Sequence, residues 1–137
     1  MFNRIMVPVD LAHAASLEKA IKVAVDLAKL HDARIFLVGV TDTAPGAVAH
    51  DPAEYQQKLE QFTANCCDRH GYAMTAKVVI CNDPAAELDE ALEAYGKEID
   101  VDLVVMASHL PGFMDHLFHS RAGHLATHTD ISVFIVR

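Results

Sequence analysis

The sequence lacks the features that mark membrane, secreted and nucleic-acid-binding proteins. No stretch approaches the roughly 18 apolar residues that a membrane-spanning helix needs. Residues 1–9 are too short for a signal peptide before Asp10 interrupts them. A net charge of −8 leaves no basic excess for a nucleic-acid or anionic membrane surface. We therefore expect a cytoplasmic protein with neither a nucleic-acid nor a membrane partner.

The chain has only three cysteines, and their spacing indicates neither a disulfide framework nor a redox site. Cys66, Cys67 and Cys81 form neither an even set nor a C-x-x-C pair. Reduced thiols are the favoured interpretation, ahead of a disulfide or a redox site.

The common catalytic and phosphate-binding motifs are also missing. The chain has no P-loop signature, no G-x-G-x-x-G after its first strand, no G-x-S-x-G and no H-E-x-x-H. No nucleophile is paired with a base at a recognisable spacing, and no base or metal–carboxylate set indicates a phosphohydrolase. We therefore assign no catalytic residue, and an enzyme is not the favoured interpretation.

What the sequence does contain is a regular alternation of strand and helix patterns. Its 137 residues, 52% of them apolar, predict one domain over 1–137. Short apolar runs predict buried strands at 4–10, 34–40, 74–81, 102–107 and 131–136. Helical spacing predicts helices at 14–30, 53–70, 87–98 and about 115–129. This order predicts a doubly wound, five-stranded parallel sheet with helices on both faces.

Small ligands bind such sheets beyond the carboxyl ends of the strands. The run 102–107 ends abruptly in a polar, turn-rich loop, so residues 108–120 are the first candidate site. Asp10, at the end of the first strand, can contact a ligand or cap the following helix. Ser120 has the same two roles open to it, a phosphate contact or a helix cap.

Histidines are concentrated in the last third of the chain. Five of the nine lie within twenty residues: His109, His116, His119, His124 and His128. His124 and His128 share one predicted helical face at a spacing that a metal can use. No carboxylate or cysteine completes a ligand set, so exposed or singly bonded histidines are favoured. A histidine-dependent metal binder stays as a weaker alternative.

Several segments resemble the universal stress protein family. They are the opening IMVPVD (5–10), VGVTD (38–42), DLVVMASH (102–109) and the closing SVFIVR (132–137). The match follows the whole chain in order. The Ala-Ser-His loop, followed by one residue and Pro111, is most similar to a small bacterial subgroup with the F and G paralogues.

The resemblance implies a Rossmann-like sheet and a homodimer that pairs through the C-terminal strand, residues 131–136. Many members bind ATP, which implies a nucleotide accompanied by Mg²⁺ and hydrolysed slowly at most. The implied adenine contacts are Asp10 and Val40, and the implied phosphate contacts lie at 107–112 and at His119-Ser120. The full implied set is Pro8, Val9, Asp10, Val40, Met106, Ala107, Ser108, His109, Gly112, His119, Ser120 and Arg121.

The chain departs from the family at three glycines of the nucleotide-binding pattern. Ala107, Leu110 and His119 stand at these positions, and Ser120 keeps its type, while Gly112 can compensate in part. Glycine there lets backbone N–H groups approach phosphate closely. His119 can therefore block the phosphates, or it can supply positive charge to them. Two hypotheses stay open: a dimeric stress-response regulator that binds an adenine nucleotide, and a dimeric adaptor that has lost this binding.

Overall fold

The structure is a computed structural model that describes residues 1–108 and 130–137. Strands and helices alternate along the chain. In order they are β1 (Arg4–Val9), a 3₁₀ segment (Leu11–Leu17), α1 (Glu18–His31), β2 (Arg34–Thr41), α2 (Pro52–His70), β3 (Met74–Ile80), α3 (Pro84–Glu98), β4 (Leu103–Ala107) and β5 (Ser132–Val136). The predicted helix at 115–129 lies outside the described residues.

The five strands form one parallel sheet in the order β3-β2-β1-β4-β5. From β1 the chain runs outward through β2 to β3, and then crosses to the other side of β1 to add β4 and β5. The order therefore reverses between β1 and β4, which is the switch point where such sheets bind ligands. The predicted doubly wound sheet is confirmed.

Helices cover both faces of the sheet. Met6 pairs with Phe36 in register, and the Met6 side chain lies beside Gly96 of α3. Gly39 is three residues beyond Phe36, so it faces the opposite side, where Tyr55 of α2 lies against it. Helix α3 therefore covers one face and α2 covers the other.

Helix α1 shares the face of α2. The Glu18 carboxylate at the start of α1 lies 2.7 Å from the Arg69 guanidinium and 2.9 Å from the His70 ring at the end of α2. These contacts hold the two helices side by side. Such partly exposed ion pairs contribute little free energy on their own, so we interpret them as fixing position rather than as driving folding.

The core lies where the central strands meet the helices. Ile5, Val7, Leu37 and Val105 have no exposed surface. Strands β1 and β4 are continuous apolar runs because both of their faces are covered. The outer strands β3 and β5 instead alternate in burial, as edge strands do.

The predicted start of the first helix was wrong. The spacing predicted helix from residue 14, whereas residues 11–17 form a 3₁₀ segment with a kink at His13 (φ −130°, ψ 39°). The backbone there follows Asp10, whose carboxylate accepts from the Ala12 amide and whose carbonyl accepts from the His13 amide. Regular α-helix begins at Glu18.

Candidate functional site

A cavity of about 340 Å³ opens at the carboxyl ends of β1 and β2. The segment after β2 and the start of α3 enclose its sides. Its volume falls within the about 300–1,000 Å³ that is usual for small-molecule sites. The cavity therefore lies at the carboxyl edge of the sheet, and its described lining is on the β2 side of the β1–β4 switch point.

The lining of this cavity is mostly apolar, with two carboxylates and a phenol. Val9, Val40 and Leu88 supply apolar surface, while Asp10 and Asp42 supply negative charge. Within residues 1–108 and 130–137, no basic side chain contributes to the lining. The described part of the cavity therefore suits an apolar group that carries hydrogen-bond donors, rather than an anion.

Asp10 caps the segment that follows it and also lines the cavity. Its Oδ1 accepts from the Ala12 amide at 3.0 Å, which caps the 3₁₀ segment. Its Oδ2 lies 2.9 Å from Nδ1 of His13. The side chain nevertheless lines the cavity, and a carboxylate has about four acceptor positions. Asp10 can therefore still accept a hydrogen bond from a ligand.

Val40 lies just beyond the end of the β1–β2 ladder. Its last register pair is Val9 with Gly39. The Arg34 amide donates to the Asn3 carbonyl at 2.9 Å. Because the backbone N–H and C=O of one residue point to the same side of a strand and alternate along it, the even-numbered residues of β2 direct both groups towards β1. The Val40 carbonyl therefore points to where β1 has ended, beside the cavity.

Tyr55 is one of the cavity residues that the sequence did not single out as functional. It is only 6% exposed, and its ring lies against the backbone of Gly39. Burial, followed by the nearby Asp10 charge, raises the pKa of Tyr55 to about 12. Its helical spacing predicted a core residue. The signal for a special role was Gly39 inside a strand, because such glycines often permit a close approach.

The predicted site residues of β4 lie on the other side of β1. Pairing between β1 and β4 stops at Met6 with Val104, although β4 continues to Ala107. Ser108 follows it, is 3% exposed, and donates its amide to the Val136 carbonyl at 2.8 Å. Among the described residues, the Ser108 hydroxyl has no hydrogen-bond partner.

The structure brings part of the predicted set together. Val9, Asp10 and Val40 line the cavity, whereas Pro8, Met106, Ala107 and Ser108 do not. Pro8 and Met106 are buried in the sheet. Five further predicted contacts lie outside the described residues: His109, Gly112, His119, Ser120 and Arg121.

Potential metal ligands and thiols within the described ranges can be compared with the predictions. No group of three or more His, Cys, Asp or Glu side chains within the described ranges is arranged to hold a metal. The five clustered histidines, 109–128, lie outside those ranges. All three cysteines are free thiols, and burial raises the pKa values of Cys66 and Cys81. Of the helices described, none is long and apolar enough to cross a membrane.

Comparisons with known proteins agree with this architecture. The model of the universal stress protein family matches residues 1–137. Universal stress protein G of Salmonella typhimurium is 26% identical over 145 residues, covering 100% of both chains.

Solved structures share the fold over nearly the whole chain. A universal stress protein in complex with cAMP has a TM-score of 0.68 at 17% identity, covering 99% of this chain and 97% of that one. The universal stress protein from Archaeoglobus fulgidus in complex with dAMP has a TM-score of 0.63 at 16% identity, covering 99% and 98%.

Proposed function

This chain belongs to the universal stress protein family, and we propose that its cavity binds an adenine nucleotide. The observation that carries the proposal is that Asp10 and Val40 meet in an apolar-walled cavity at the carboxyl ends of β1 and β2. Two proteins of the same fold were solved in complex with cAMP and with dAMP, and both ligands contain adenine.

Adenine matches the chemistry of this cavity. The faces of adenine are flat and apolar, and Val9, Val40 and Leu88 supply apolar surface for them to contact. Its exocyclic amine is a donor, and the Asp10 carboxylate is an acceptor. A hydrogen bond to a charged group contributes about 1.5–3 kcal/mol, which is enough to orient the base.

The phosphates need a different set of groups, since the described lining contains no basic side chain. We assign them to the segment that follows β4. Ser108 offers a buried hydroxyl that has no partner among the described residues. The remaining proposed contacts, at His109, Gly112, His119, Ser120 and Arg121, belong to the part of the chain that the structure does not describe. ATP, with Mg²⁺ bound to its phosphates, is the proposed full ligand.

Mass spectrometry under non-denaturing conditions tests this function. We expect the purified protein to retain AMP or ATP, or to take it up when either is added. Protein that neither retains nor takes up an adenine nucleotide would favour the alternative, an adaptor that has lost nucleotide binding. A retained metal without nucleotide would favour the histidine-dependent alternative.

We also propose a cytoplasmic homodimer that pairs through residues 131–136. Strand β5 is the last strand on its side of the sheet, and its Phe134 side chain is 45% exposed. An apolar sheet edge of this kind favours pairing with a second chain. A stress-response regulator could signal through this dimer or through a further protein partner.

The opposite edge of the sheet provides the control for the dimer. Val133→Lys places a charge on β5 and should shift the protein towards monomer in light scattering at tens of micromolar. Ile80→Lys, on β3, changes a side chain that is 55% exposed and should leave the dimer unaffected. A wild type that is monomeric at this concentration would contradict the proposal.

A further inference from the structure

Tyr55 combines deep burial with a hydroxyl group that the fold does not use. The residue is only 6% exposed, yet it lines the cavity. Within residues 1–108 and 130–137, no group is seen to share a hydrogen bond with its hydroxyl, although the hydroxyl is not one of the fully enclosed polar atoms that lack a partner there. By contrast, the Tyr72 hydroxyl donates to the Ala33 carbonyl at 2.5 Å.

The position of the hydroxyl depends on Gly39. A Cβ at residue 39 would lie 2.6 Å from the Tyr55 hydroxyl oxygen and 2.7 Å from its Cε1. The missing Cβ therefore lets the phenol lie against the β2 backbone, one residue before Val40. Asp10 lines the same cavity as Tyr55, and its charge acts on the phenol.

The hydroxyl is a donor at neutral pH. Burial and the Asp10 charge raise the pKa of Tyr55 to about 12, so the phenol keeps its proton. Asp10, in contrast, is an acceptor. The lining of the cavity therefore includes one acceptor, Asp10, and one donor, Tyr55.

We propose that Tyr55 is a specificity-determining residue that donates its hydroxyl proton to a ring nitrogen of the bound base. This inference rests on the proposed adenine site. In adenine, the exocyclic amine is a donor flanked by two accepting ring nitrogens, N1 and N7. Asp10 accepts from the amine, and Tyr55 donates to one of these two nitrogens. The pair thus recognises the donor–acceptor edge of adenine.

The pair also selects against a 6-oxo purine such as the base of inosine monophosphate. Its carbonyl oxygen would face the Asp10 carboxylate, acceptor against acceptor. Sites that hydrogen-bond a ligand reject analogues that leave a buried polar group unpaired. In a 6-oxo purine N1 carries a hydrogen, so a Tyr55 hydroxyl that donates to N1 would also select against that base. A Tyr55 hydroxyl that donates to N7 would instead fix the orientation of the base and leave the selection to Asp10.

Calorimetric titration with AMP tests the role of Tyr55. Tyr55→Phe removes the hydroxyl and keeps the ring, and should weaken binding by about three- to tenfold, the effect of one neutral hydrogen bond. Tyr95→Phe is the matched control, because Tyr95 is similarly buried, at 7% exposure, but does not line the cavity. It should leave the affinity unchanged.

Two analogues, 1-deaza-AMP and 7-deaza-AMP, separate a direct contact from a structural effect. Each replaces one candidate nitrogen with a C–H group. For one of them, wild type and Tyr55→Phe should bind equally, because the accepting nitrogen is gone. An equal loss with AMP and with both analogues would overturn the inference.

The two proposals fail differently in this experiment. If wild type binds AMP and Tyr55→Phe binds it equally, the role of Tyr55 is wrong while the adenine site stands. If wild type binds neither AMP nor ATP, the adenine site is wrong and the role of Tyr55 is wrong with it.

Discussion

Substituting Gly39 by Ala should destabilise the protein, because Tyr55 occupies the space that the new methyl group needs. The Cβ would lie 2.7 Å from Cε1 of Tyr55, whereas carbon atoms favour separations of about 3.5–4.0 Å. The ring would have to move by roughly 0.8 Å or more. Since Tyr55 is 6% exposed, such a movement disturbs its packing between α2 and the sheet.

The size of the effect follows from the cost of overpacking. Extra methyl groups in a packed core cost about 1–3 kcal/mol. For a chain of this length, 1 kcal/mol lowers the melting temperature by about 3–5 °C, so we expect a fall of about 3–15 °C. In a Tyr55→Leu background the space is cleared, and Gly39→Ala should cost much less. Alanine also loses less chain entropy than glycine on folding.

Thermal melts of the wild type, both single variants and the double variant give the coupling energy, expected to be about 1–3 kcal/mol. Gly46→Ala is the control. Gly46 lines the same cavity, but its nearest atom to a new Cβ is the Ala49 carbonyl oxygen at 3.9 Å. Its stability should change by less than about 0.5 kcal/mol. The reasoning is refuted if Gly39→Ala melts like wild type, or if it costs the same with Leu at 55.

Three further predictions concern stability. The Asp102 carboxylate accepts from two backbone amides at the start of β1, at 2.8 and 3.1 Å, so Asp102→Ala should lose about 1–3 kcal/mol in urea unfolding; an unchanged midpoint would contradict this. Because the pKa of Tyr55 is about 12 in the folded chain and near 10.0 when unfolded, stability should fall as pH rises from 10 towards 12, and less so in Tyr55→Phe. A tyrosinate absorbance titration should show late ionisation that Tyr55→Phe reduces, and an unchanged titration in that variant would refute the shift. Asp51 accepts from the Glu54 amide at 2.8 Å at the start of α2, so Asp51→Ala should cost about 1 kcal/mol in the same urea assay and Asp51→Asn much less; equal losses would count against a cap.

The fold could be predicted from sequence because the central strands are nearly uniform apolar runs, which their short length distinguishes from helices. Both faces of β1 and β4 are buried, so each appears as an unbroken apolar run between turn signals. The boundary at residues 11–17 could not be predicted in the same way. Leu17 has helical spacing with Ala20 and Ala24, but the hydrogen bonds made by Asp10 decide the backbone there.

The candidate site could be predicted only in part. Asp10 and Val40 follow from the resemblance and from their places at strand ends. The position of the Tyr55 hydroxyl could not be predicted, because it depends on a contact with Gly39. Gly39 lies on β2, whereas Tyr55 lies near the start of α2, after an intervening loop. Helical spacing correctly predicts that Tyr55 is buried, but spacing cannot show which atom of a buried side chain reaches a cavity.

The most direct test of the adenine site is calorimetric titration of AMP into wild type and Asp10→Ala. We expect wild type to bind and Asp10→Ala to bind at least about tenfold more weakly, because the amine of the base loses a charged acceptor. Asp26→Ala removes an equal charge from an exposed position on α1 and should bind like wild type. The account is contradicted if wild type does not bind AMP, or if Asp10→Ala melts like wild type and binds AMP equally well.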